Sequence, residues 1–112
     1  MESKEFLGKV VHVKIDRPMG SRHPRIHDIY YVYNYGYLPG VPAPDGEDLD
    51  AYVLGVFEPV QEFTGECIAV IHRLDDVEDK LVIVPEGKTY TDDQIRAMTE
   101  FQEKYFTSII LR

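Results

Sequence analysis

Five short runs rich in β-branched and aromatic residues follow one another along this chain with too few residues between them for crossover helices. They are VVHVKI (10–15), IYYVYNYGY (29–37), DAYVLGV (50–56), ECIAVIHRL (66–74) and KLVIV (80–84). Prolines and glycines punctuate the gaps; RPMGSRHP (17–24) breaks the first run with two prolines and a glycine. Strands so closely spaced predict a small closed or nearly closed antiparallel barrel. The fourth run is continuously apolar, which predicts a central strand.

Beyond PEG (85–87) the period changes. Thr91 is followed three residues later by Gln94, the spacing of a capping box. Ile95, Met98, Phe101, Tyr105 and Ile109 then recur at steps of three and four, predicting an amphipathic helix of about 18 to 20 residues on the sheet. The expected class is mainly β (α+β), a five-stranded barrel with a C-terminal helix against it. With 112 residues, 44% of them hydrophobic, a single domain over 1–112 is expected.

No stretch approaches the roughly 18 apolar residues of a membrane span, and MESKEFLGK lacks a secretory layout, so a soluble, cytoplasmic protein is expected. Cys67, the only cysteine, lies in CIAVI, which excludes a disulfide within the chain and predicts a buried structural thiol. A net charge of −8 argues against nucleic acid, which needs a basic face.

The acids are concentrated. Residues 45–50 and 75–79 hold eight of the twenty in eleven positions. In APDGEDLDAYVLG (43–55), Asp45, Glu47, Asp48 and Asp50 crowd against an apolar strand. Such carboxylates repel one another unless they are solvated or hold cations. An EF-hand is ruled out, because the sixth residue from Asp45 is Asp50 rather than glycine and the twelfth is Val56 rather than glutamate. What remains is a Pro44-Asp45-Gly46-Glu47 turn at the mouth of a strand on which Asp50, Tyr52 and Leu54 share a face. In the second cluster, period two places Glu78 and Lys80 together, with Asp75 and Asp76 in the connection before them; a hairpin with charged ends has the same pattern.

Tyr31, Tyr33, Tyr35 and Tyr37 alternate toward one side, a packing stripe as readily as a binding one. Arg17, Arg22 and Arg25 form the densest basic segment, suited to an anion or to solvent. His23 and His27 flank Pro24, which speaks against one helical face and against a shared metal.

NYGYLPG followed by APDGEDLDAYVLG resembles the soluble, Mg-dependent inorganic pyrophosphatase family, whose members carry a tyrosine-bearing NYGY segment and then a D-G-D-P-x-D signature on an OB-like barrel. The similarity runs from about residue 30 to the helix. It implies that Asp45, Glu47 and Asp50 are the signature carboxylates, that Glu78 and Lys80 are the later acid and lysine, and that Asp75 or Asp76 is the acid before them. Tyr35, Tyr31 and Tyr105 match the family's tyrosines, and Arg22 or Arg25 its phosphate-binding arginine. Departures are equally specific: Glu47 replaces Asp, Asp48 replaces proline, Lys14 stands for an acid, and Phe106 for the lysine after the helix tyrosine. The basic and acidic pair of the family's early hairpin has no counterpart between residues 17 and 28.

What the resemblance implies is hydrolysis of pyrophosphate by metal-activated water, with two or more Mg²⁺. Asp45, Asp50 and Glu78 would hold the first ion, Asp50 bridging to a second, and Glu47 would orient or deprotonate the water. Lys80, Tyr35, Tyr105 and an arginine would position the phosphates. Members of that family are commonly oligomeric, and a barrel flank or the helix could supply the interface of a homo-oligomer, a state the sequence itself does not give. Two alternatives stay open: a hydrolase for another phosphoanhydride, such as a nucleotide or polyphosphate, and a non-catalytic module binding Mg²⁺ and phosphate.

Overall fold

The continuously apolar run extends into the longest strand, and the other elements assemble around it. A computed structural model describes residues 3–26, 28–76 and 78–112. After a 3-10 turn at Ser3–Phe6 come β1 (Val10–Arg17), β2 (Asn34–Pro42), β3 (Asp48–Val53), β4 (Glu62–Arg73), β5 (Asp79–Val84), α1 (Asp92–Glu103) and β6 (Ser108–Leu111). The sheet order is β1-β2-β3-β5-β4-β6, and a β1–β4 pairing closes the first five into a barrel.

β4 is the central strand expected from its apolar sequence. One edge carries β5; along the other, β1 covers Glu62–Glu66 and β6 covers Val70–Arg73. The barrel is not wholly antiparallel, because β3 and β5 run parallel. β4 lies between them in sequence and supplies the long connection that a parallel pair needs.

β3 shows how the wall is buried on both sides. Leu49, Ala51 and Val53 join Val13, Leu38, Cys67 and Leu81 in one apolar cluster inside the barrel. Tyr52 and Leu54 alternate with them and join Tyr31, Tyr35, Ile71 and Ile95 in a second cluster under α1. Cys67 is the buried free thiol expected of it. Gly36, in NYGY, marks where β2 presses against β1: a Cβ there would lie 1.8 Å from the Lys14 carbonyl oxygen. Neighbouring Asn34 is fully buried, accepts from the Met19 and Val60 amides and donates to the Glu58 carbonyl, tying two loops to the strand.

The capping box forms as the spacing predicts, with Thr91 Oγ1 accepting from the Gln94 amide and Gln94 Oε1 from the Thr91 amide. The helix is 12 residues long, not about 18 to 20. It stops at Glu103, so Tyr105 and Ile109 are not on its face. Thr107 accepts from the Leu74 amide, and Ser108–Leu111 pairs with β4. Two causes favour this: Thr107, Ile109 and Ile110 are β-branched, and among the described residues the edge of β4 beyond Glu66 has no other partner strand. Among the described residues no helix is long and apolar enough to cross a membrane.

Candidate active site

Parallel register between β3 and β5 sets Asp50 beside Lys80. Lys80 Nζ lies 2.6 Å from Asp50 Oδ2 and 2.9 Å from Glu78 Oε2, although the lysine is only 3% exposed. Lys80 on β5, Glu78 just before that strand and Asp50 across the ladder thus form one charged group. A buried ammonium costs several kcal/mol unless paired, and these two carboxylates pair it.

The group lies in a cavity of about 330 Å³. Its acids are Asp16, Asp50, Asp76 and Glu78, its cations Arg17, Arg73 and Lys80. Tyr31 and Tyr35 form an aromatic wall, and Tyr105 and Phe106 another side. Asp16 and Asp50 also line a shallower hollow with Glu47, Asp48, Gly46 and Tyr37. Asp50 therefore faces both spaces.

The electrostatics follow from burial. Desolvation, with the nearby Asp50 carboxylate second, holds the Tyr35 phenol well above its ordinary range. Burial also raises the Asp16 carboxyl, partly opposed by Arg17. His23 at the cavity edge is lowered, by desolvation first and then by Arg17 and Arg25.

Beneath the cavity a chain of hydrogen bonds runs from wall to floor. Tyr31 donates to Gln102 Oε1 at 2.6 Å, Gln102 Nε2 to the Tyr52 hydroxyl at 2.7 Å, and Tyr52 to Glu103 Oε2 at 2.6 Å. Glu103 in turn receives Arg73 Nε at 3.0 Å and Nη2 at 2.7 Å. Burial opposes the Arg73 charge, but the bonds and field of Glu103 outweigh it and raise the guanidinium pKa further. Burial and the Glu103 carboxylate likewise hold the Tyr52 phenol well above its usual value.

Of the residues singled out in the sequence, Asp50, Asp76, Glu78, Lys80, Tyr31, Tyr35 and Tyr105 line the cavity together. Glu47 lines the adjoining hollow. Asp45 stands in the turn, where Oδ1 accepts from the Glu47 amide at 2.9 Å. Asp75 and Asp76 differ: Asp75 Oδ2 accepts from the Thr107 amide at 3.0 Å, whereas Asp76 is on the cavity, 3.6 Å from Arg73 Nη1. Arg22 lies over the Tyr30 ring and donates to its hydroxyl, and neither it nor Arg25 lines the cavity. Arg17 does. The four tyrosines divide: Tyr31 and Tyr35 belong to the second core cluster, Tyr33 packs against it and meets Phe57, and Tyr37 lines the hollow. His27 lies outside the described residues.

Sequence reasoning missed Asp16, Arg73, Glu103 and Gln102. Period two from Lys14 leads to Asp16, a usable signal. The buried positions of α1, Ile95, Thr99, Gln102 and Glu103, are mostly polar, so apolar periodicity could not find them.

Among the described residues no three His, Cys, Asp or Glu side chains converge as a ready-made metal cage. The donor chemistry nevertheless fits a hard divalent cation. Four carboxylates line one cavity, two of them already neutralise a single positive charge, and Mg²⁺ takes only one or two protein carboxylates beside water and phosphate oxygens.

Comparison with known proteins identifies the fold and the family. Solved structures with the same fold include the inorganic pyrophosphatase from Ehrlichia chaffeensis, with TM-score 0.69 and 19% identity over 91% of this chain and 84% of that one. The Neisseria gonorrhoeae enzyme gives 0.67 and 21% over 88% and 74%, and the Thermus thermophilus enzyme 0.59 and 18% over 92% and 80%. No curated protein sequence matches. The sequence pattern described as inorganic pyrophosphatase matches residues 6–110, nearly the whole chain, and this chain therefore belongs to the inorganic pyrophosphatase family, a family of inorganic diphosphatases.

Proposed function

We propose that this chain hydrolyses inorganic pyrophosphate to two phosphates, with Mg²⁺ as its metal. The observation that carries the reading is Lys80 between Asp50 and Glu78 on the cavity floor, where hard acceptors and a fixed cation stand within one hydrogen-bonding distance of each other. Asp50, Asp76 and Glu78 would hold Mg²⁺; more than one ion suits the four carboxylates, Asp16 included, around one space. Asp45 lines neither space, and its carboxylate already serves the Glu47 amide, so it is a weaker candidate ligand. Asp75 is a weaker candidate for the same reason, since its carboxylate serves the Thr107 amide.

When bound, a divalent ion neutralises phosphate oxygens and lowers the pKa of a bound water. The chain's own residues do the rest. Lys80 and Arg17 balance the charge of the substrate and hold it against the tyrosine wall. The Tyr35 phenol, kept protonated by burial, donates to a phosphate oxygen rather than taking its proton. Tyr105, half exposed at the rim, closes over the outer phosphate. Glu47, from the hollow behind Asp50, orients the attacking water or accepts its proton. Arg22 and Arg25 would steer the anion from outside the cavity.

Substrate choice is tested by phosphate release from pyrophosphate, tripolyphosphate and ATP, each with Mg²⁺ and with EDTA. Metal-dependent release from pyrophosphate well above the other two is expected. Preference for ATP or tripolyphosphate would make the chain a hydrolase of another phosphoanhydride, and binding without release from any of them a non-catalytic module.

A further inference from the structure

The Arg73 guanidinium is held on its inner edge and presents its outer edge to the cavity. Nε and Nη2 make two parallel bonds to Glu103 at 3.0 and 2.7 Å, and the Phe106 ring lies 3.6 Å from Cζ. Such a two-pronged, stacked arginine loses little freedom when it takes another partner. Nη1 points the other way, 2.7 Å from Glu78 Oε2 and 3.6 Å from Asp76 Oδ2. Glu78 Oε2 is also the oxygen that Lys80 approaches at 2.9 Å, so one carboxylate oxygen serves two cations.

We infer that Arg73 is a substrate-binding residue, whose Nη1 grips a phosphate oxygen of the substrate at the inner end of the cavity while Glu103 holds the rest of the guanidinium in place. This rests on the proposed pyrophosphatase reading. Glu78 and Asp76 are both metal-ligand candidates in that reading, and once these two carboxylates are committed to a metal Nη1 needs another acceptor. A buried N–H cannot stay unpaired without cost, and the nearest incoming acceptor is a phosphate oxygen, whose geometry an arginine fork matches. The positive charge thus comes from the end of β4 and is braced by the last residue of α1. Tyr52 adds the second brace by donating to Glu103.

The test uses imidodiphosphate, a pyrophosphate analogue that is not hydrolysed, with Mg²⁺ present. On the unaltered chain, ¹⁵N NMR of the Arg73 guanidinium follows the titration, which needs no substitution and so does not depend on a variant folding. Calorimetry then compares the unaltered chain with Arg73→Met/Glu103→Gln, which removes both charges together and leaves no lone buried ion. We expect the Arg73 signals to shift on saturation, the double variant to bind about tenfold or more weakly, and its KM for pyrophosphate to rise. Saturation of the unaltered chain without movement of those signals, or unchanged affinity in a folded double variant, would make Arg73 an interior tie only and overturn the inference alone. An unaltered chain that neither binds imidodiphosphate nor hydrolyses pyrophosphate would overturn the functional reading itself, and this assignment with it.

Discussion

Lys80 Nζ sits 2.6 Å from Asp50 Oδ2 because the parallel ladder between β3 and β5 pairs those two residues directly. Glu78 completes the pair from the other side at 2.9 Å. Lys80→Met leaves two neighbouring carboxylates without their shared cation. Both are about one-third exposed or less, so solvent screens part of the loss. The expected destabilisation is about 1–3 kcal/mol, below that of a fully buried pair. Urea unfolding reads it, and Mg²⁺ should restore more stability to this variant than to the parent, because it neutralises the same oxygens.

Tyr52→Phe removes a hydroxyl that accepts from Gln102 and donates to Glu103 in a fully buried position. The Gln102 side-chain amide then lacks its acceptor, while Glu103 keeps its two bonds from Arg73, so a cost of about 1–3 kcal/mol is expected. The change should appear as a lower unfolding midpoint, with the loss concentrated in hydrogen exchange of the last turn of α1.

Gly36→Ala places a methyl group 1.8 Å from a backbone oxygen of β1. Backbone cannot rotate away as a side chain can, so the β1–β2 pairing must open. A loss of about 3 kcal/mol or more is expected, measured as a fall in the denaturant midpoint; an unshifted midpoint would mean that the two strands separate without cost.

The Cys67 thiol is fully buried, and burial raises its pKa from 9.0 to about 11. In the folded chain it is therefore a thiol near pH 8 and resists alkylation, reacting only when the chain opens. The sign of the stability effect follows. Below pH 9 both folded and unfolded forms carry the proton and stability is intact; between pH 9 and about 11 only the unfolded chain ionises, so stability falls as pH rises through the folded value. A rate of iodoacetamide labelling at pH 8 equal in native and denatured protein would contradict this.

Much of the barrel was legible because its strands carry β-branched residues and its breaks carry Pro and Gly. The capping box of Thr91 and Gln94 announced α1, and NYGY with the following acids pointed to the cavity. β6 was hidden because Tyr105 and Ile109 continue the helical period by coincidence, and only the uncovered edge of β4 decides against it. The β3–β5 parallel pairing belongs to chain topology, which local pattern does not encode. Arg73 and Glu103 were missed for a related reason: a charge ending an apolar strand and a charge on a helix look like surface residues until the fold brings them together, 30 positions apart, in the interior. Between Asp75 and Asp76, spacing could not choose, while the Thr107 amide separates their roles in space.

In the proposed reaction, pyrophosphate is hydrolysed at Asp50 and its neighbours. Its most direct test is phosphate release from pyrophosphate in Mg²⁺ by the parent chain and by Asp50→Asn side by side, with circular dichroism to check the fold. EDTA-sensitive release of two phosphates per pyrophosphate is expected of the parent, and a loss of about 100-fold or more of a folded Asp50→Asn. Full activity in that variant, or release that continues undiminished in EDTA, would contradict it.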